Sequence, residues 1–196
     1  MRQIFILLVF IIFIIGCKEK YTPKPRAFFR IEFPKKKYHA LNENNFPYNF
    51  DIPNYSKISA DKHNSNQPFW INISVPKNSA EIHISYFNIK NDDTPELVLL
   101  AKLMEETRRL AYKHSIKADA IQEQVFINLA ENVFGTIYRI DGNAASPLQF
   151  FLTDSTNHFL RGAFYIREVP KIDSLQPVID FFEPDIIRLI ETTTWN

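Results

Sequence analysis

The chain has 196 residues, with 23 Lys and Arg against 22 Asp and Glu and a net charge of +1. Such neutrality offers no global attraction for nucleic acid or an acidic membrane face, so no nucleic-acid function is expected. One cysteine excludes a disulfide framework, four glycines leave no phosphate-cradling loop, and 18 Phe with eight Tyr point to an aromatic core or contact surface.

The chain opens on an apolar run, residues 4–15, that ends in the only cysteine. Twelve residues are too few for the roughly 20 that cross a bilayer core. The run matches a signal-peptide core, with Arg2 as its positive flank. The segment Ile14-Ile15-Gly16-Cys17 resembles a bacterial lipobox. That reading makes residues 1–16 a removed signal peptide and Cys17 the lipidation site, acylated with fatty acids such as palmitate. An ordinary signal peptide with an incidental cysteine is the alternative, but no A-x-A-like site lies nearby. Lipidation leaves no thiol for a nucleophile or a metal, and two or more acyl chains suffice for stable anchoring.

Residues 17–27 then read as lipidated cysteine and tether, charged and carrying Pro23 and Pro25. Ten such residues reach at most ~30 Å at about 3.1 Å each, which keeps the body close to its membrane. Residues 28–196 read as a single α+β domain. Alternating apolar positions predict strands in "AFFRIEF", "FPYNFDI", "FWINISV" and "AEIHISYF". In the last of these, Ile82, Ile84 and Tyr86 share one face, and Glu81, His83 and Ser85 the other. The basic run Lys35-Lys36-Lys37 reads as a solvated turn.

The period changes after Pro95. Leu97, Leu100, Ala101, Met104 and Ala111 recur at helical spacing through residue 114, with Asp93 or Thr94 as cap. Strands return at "AIQEQVFIN", "NVFGTIYRI", "LQFFL" and "HFLRGAFYI", with turn signals at Asp141-Gly142 and "DSTN". A last helix carries Leu175, Val178, Phe182, Ile186 and Leu189 on one stripe, capped by Asp173 or Ser174, with a kink or restart expected at Pro184. The order ββββ-α-ββββ-α implies an antiparallel twisted sheet with one wet face and packed helices. It also resembles the Mog1/PsbP-like arrangement.

Chemistry is sparse. The histidines His39, His63, His83, His114 and His158 stand at no metal-ligand spacing, and no nucleophile elbow occurs. Asp92-Asp93 and Glu105-Glu106 have structural readings, before a helix and on its wet face. No metal, cofactor or catalytic residue is therefore expected. The richest polar neighbourhood, residues 142–166, holds Asn143, Gln149, Asp154, His158 and Arg161 among large aromatics. These are either a contact surface or turn formers and wet strand positions. Lys113 and His114 at the helix exit are a second candidate, or a complement to the negative helix end. Asp154-Ser155-Thr156 and Asp173-Ser174-Leu175 resemble short O-glycosylation patterns of the Bacteroidetes envelope.

The blocks "PKPRAFFRIEFPKKKY", "AYKHSIKADAIQ", "GNAASPLQFFLTDSTNHFLRGAFYI" and "DSLQPVIDFFEPDIIRLIETTTW", following the lipobox, resemble the gliding-motility lipoprotein GldD family of the Bacteroidetes. The resemblance implies a cell-envelope lipoprotein needed for gliding and for the associated type IX secretion machinery. It implies partners among the envelope proteins of that apparatus and a bilayer contact through Cys17, while the lack of an acidic run after Cys17 favours a body facing the periplasm. Inner and outer membrane both stay open, and only Cys17 carries over residue for residue. A periplasmic small-ligand or glycan-binding module, with residues 142–166 lining a groove, is the alternative. A hydrolase using Asp154 and His158 is a third.

Overall fold

The computed structural model describes residues 30–41, 45–62, 64–90, 94–169 and 171–196. Cys17, its tether, His63, Asp92 and Asp93 lie outside them. The chain divides into Met1–Arg30 and Ile31–Asn196, and the second unit is the one described below.

Its frame is one seven-stranded antiparallel sheet. Six short or medium strands precede the first helix: β1 (Tyr38–Ala40), β2 (Tyr48–Asn49), β3 (Asp51–Pro53), β4 (Lys57–Ala60), β5 (Ile71–Val75) and β6 (Ala80–Asn88). Helix α1 (Glu96–Tyr112) leads to β7 (Ala118–Asn128), β8 (Val133–Gly142), β9 (Leu148–Thr153) and β10 (His158–Ile166). Helix α2 (Ile172–Glu191) and β11 (Thr194–Trp195) close the chain. The sheet runs β4-β5-β6-β10-β9-β8-β7, while β1–β3 and β2–β11 form separate pairs. Helix α1 carries the chain from β6 to the far edge, and the meander β7 to β10 brings it back beside β6.

The two helices sit on opposite faces. Val178, Phe182, Ile186 and Leu189 of α2 pack with Ile82, Ile84, Phe150, Leu152 and Phe164. Leu100, Leu103 and Ala111 of α1 pack with Tyr138, Phe151 and Phe159. Strand neighbours point to opposite faces, so Phe150 and Phe151 serve different cores. All six residues of β9 are buried. The sheet is thus covered twice at its centre, and the single wet face expected from alternation is confined to its margins. The consecutive Phe150-Phe151 pair is the sequence signal of that double burial.

Several local expectations shift. Ile31–Lys37 form no strand; Ile31 and Phe33 instead lie half-buried against the core, with Phe33 stacked on Phe181 at 4.3 Å. Lys36 is not in a solvated turn: its Nζ lies 2.7 Å from Asp185 and 4.2 Å above the Phe181 ring. The buried stripe of α1 is Leu100, Leu103, Thr107 and Ala111, leaving Leu97 and Met104 exposed. Its N-cap is Pro95, with no side-chain capping bond. Glu106 of the expected wet face instead meets Arg161 at 3.4 Å. Helix α2 runs unbroken through Pro177 and Pro184, with Lys171 rather than Asp173 or Ser174 at its N-cap. The apolar stripe packed on the sheet outweighs the hydrogen bonds that the prolines remove.

Candidate functional site

The face of the sheet that α1 leaves open carries a groove of about 400 Å³. Its floor comes from three adjacent strands. Ala163 of β10 stands opposite His83 of β6 on one side and Gln149 of β9 on the other. One step along, Arg161 faces Ser85, and Tyr165 lies at the other end of the floor. The small side chain of Ala163, set among larger neighbours, makes the recess. The walls are the α1 exit, with Lys113 and His114, and the approach to β5, with Asp61 and Trp70.

The groove is polar and incompletely paired. Gln149 is 3 % exposed and sits in the floor. Arg161 Nη1 meets Glu106 Oε1 at 3.4 Å, at the long limit of a hydrogen bond, and the guanidinium lies 5.6 Å from the Phe87 ring centre. His83 Nε2 lies 3.5 Å from Glu81 Oε2, and Glu81 is also ion-paired with Arg167. Burial lowers the pKa of His114, which favours the neutral imidazole at pH 7. Lys113 and Arg161 are therefore the permanent positive charges, with Asp61 the carboxylate of the wall.

Lys113, His114, Gln149 and Arg161 thus meet in one place. The other candidates do not join them. Asn143 accepts the Ile172 N–H at 2.9 Å through Oδ1, closing the start of α2 from 29 positions away. Asp154 organises the β9–β10 turn, its Oδ1 accepting N–H groups from Thr156, Asn157 and His158 at 2.8–3.0 Å. Burial would raise its pKa, but these bonds prevail and hold the carboxyl below its usual range. His158 faces the α2 side, with Nδ1 2.8 Å from the Tyr86 hydroxyl and its ring stacked on Trp195 at 5.1 Å. Burial lowers its pKa against the opposing pull of Asp154. The suggested hydrolase pair is thus bound into the β9–β10 turn and the Tyr86 and Trp195 contacts.

Sequence reading missed His83, Ser85, Tyr165 and Trp70 as groove residues. Strand alternation set His83 and Ser85 on the face opposite Ile82 and Ile84. Their neighbours across β10 and β9 depend on a pairing between segments some 70 residues apart. No group of three or more potential metal ligands occurs among the described residues. No described helix is long and apolar enough to cross a membrane.

Comparison with known proteins adds three findings. A family profile described as gliding motility lipoprotein GldD matches residues 18–195. Comparison with curated proteins gives no match. Among solved structures, the solution structure of cyanobacterial PsbP (CyanoP) from Synechocystis sp. PCC 6803 is similar at 10% identity and a TM-score of 0.47. The similarity covers 86% of this chain and 98% of that one, and it assigns no function.

Proposed function

The chain belongs to the gliding motility lipoprotein GldD family, and from that premise we propose that it is a membrane-anchored assembly or stabilising factor acting through protein contacts. Its partners are other envelope proteins of the motility apparatus and the associated type IX secretion machinery. Acylated Cys17 holds it in the bilayer, with the body in the periplasm.

One observation carries the protein-contact reading. Strand β7 is an 11-residue edge of the sheet and contains neither Lys nor Pro, two residues that commonly protect such edges. Val125 and Ile127 expose 69% and 61% of their surface along it, and Leu129 just past its end exposes 79%. An extended partner segment with alternate apolar side chains would add to this edge, taking affinity from backbone hydrogen bonds and specificity from Val125 and Ile127.

The test is genetic. Deleting the gene, or introducing Cys17→Ala, is expected to abolish gliding or secretion and to lower the level of a partner protein. Normal motility and secretion in the deletion strain would overturn the reading.

A further inference from the structure

We propose that the groove over Ala163 and Gln149 binds a carboxylate-bearing sugar. This goes beyond the assembly role and stands independently of it, because binding is read on the purified protein.

Size is the first support. About 400 Å³ falls within the range of small-ligand sites, roughly 300–1,000 Å³. The second is the Gln149 side chain, set in the floor of the groove. Gln149 lies under the groove, pointing to the same side as Arg161 and Tyr165, where its carbonyl and N–H groups would pair with the hydroxyls of a ligand. Ser85 beside it both donates and accepts.

Charge sets the rest of the chemistry. Lys113 and Arg161 offer donors only, and the long contact to Glu106 leaves other guanidinium N–H groups of Arg161 to be filled. A carboxylate on the ligand satisfies them. Trp70 and Tyr165 supply apolar ring faces beside these polar groups, a combination typical of small-ligand sites. The floor is made of side chains in the middle of the sheet, where strand backbones are already paired. That geometry favours a compact ligand over an extended peptide, which would need an open edge.

The experiment uses the full chain in detergent micelles, titrated with digalacturonate and followed by the Trp70 indole N–H resonance at the groove wall. Saturable shifts are expected, with digalactose binding at least about tenfold more weakly. Gln149→Met, Arg161→Gln and Lys113→Gln should each weaken binding about tenfold, as expected for a lost buried or charged hydrogen bond. Lys113→Gln, at the exposed helix exit, tests the site without touching the core. The proposal is overturned if digalacturonate gives no saturable shift, or if glutamate or inorganic phosphate binds as well. Wild-type affinity in Gln149→Met or Lys113→Gln would overturn it equally.

Discussion

The carboxylate of Asp185, 2 % exposed within α2, receives the ammonium of Lys36 at 2.7 Å. Tyr38 donates to the same oxygen at 2.6 Å, and Tyr55 donates to the other. A buried negative charge is tolerable only when paired and hydrogen-bonded, and here all three donors come from the segment that precedes β5. Lys36 also donates to the Phe181 carbonyl. The cluster therefore fastens the N-terminal part of the body to the last helix.

Asp185→Ala is expected to destabilise the protein by about 1–3 kcal/mol, because the Tyr38 and Tyr55 hydroxyls lose their buried acceptor. Lys36→Met should cost less, because both tyrosine hydroxyls still donate to the carboxylate. Urea unfolding midpoints of the two variants check this order.

Gly162 of β10 packs so closely on Phe150 that a methyl group there would overlap the ring. Gly162→Ala is expected to cost about 1–3 kcal/mol by overpacking. Adding Phe150→Leu should recover part of the loss, since the two sites share one space. A double-mutant cycle in thermal unfolding measures the coupling.

Stability should fall in alkali. Burial, assisted by the Asp185 hydrogen bond, pushes the Tyr38 hydroxyl up to about 12. Burial likewise raises Tyr86 and Tyr138 to about 12. A raised folded-state pKa contributes stability that is complete below the unfolded value near 10 and is lost as pH rises toward about 12. Tm measured across that interval, alongside phenolate absorbance, should drop as the tyrosines ionise.

The acid side carries the opposite sign. His158 and His114 have lowered pKa values through burial, so each contributes stability above the unfolded value near 6.5 that is lost as pH falls below it. His158→Gln should flatten this part of the stability profile relative to the parent chain, as read by Tm against pH.

Ile127→Lys on the exposed edge of β7 should change stability by no more than about 0.5 kcal/mol, since the residue is 61% exposed. It should nonetheless reduce gliding or secretion if a partner strand docks there. Unaltered function with normal protein level would remove β7 as the contact edge.

Much of the fold was legible because its strands follow simple alternation. "AEIHISYF" and "HFLRGAFYI" became β6 and β10, and the stripe Val178, Phe182, Ile186, Leu189 became the buried face of α2. The described end of "AFFRIEF" misled because Ile31 and Phe33 belong to a docked segment, with Phe33 stacked on Phe181; residues 27–29 lie outside the described residues. On α1 the sequence offered more apolar positions than one face can bury, and only packing against β9 and β10 selected Leu100, Leu103 and Ala111. Half of the groove was similarly hidden. Gln149, Arg161, Lys113 and His114 stood out as polar residues in aromatic surroundings, whereas His83, Ser85, Tyr165 and Trp70 looked like ordinary strand and core positions.

By itself, the sequence determined the class of the molecule: α+β, neutral and aromatic-rich, with GldD family blocks running through residues 18–195. Local periodicity and composition are enough for that, because each depends on residues close in the chain. Only the tertiary structure decided that β10 lies between β6 and β9 and so sets Ala163 between His83 and Gln149. It alone set Gln149 in the floor of a groove and turned Lys36 and Asp185 toward each other across 149 positions. Those juxtapositions come from strand order and from which face each helix covers, and no local pattern encodes either.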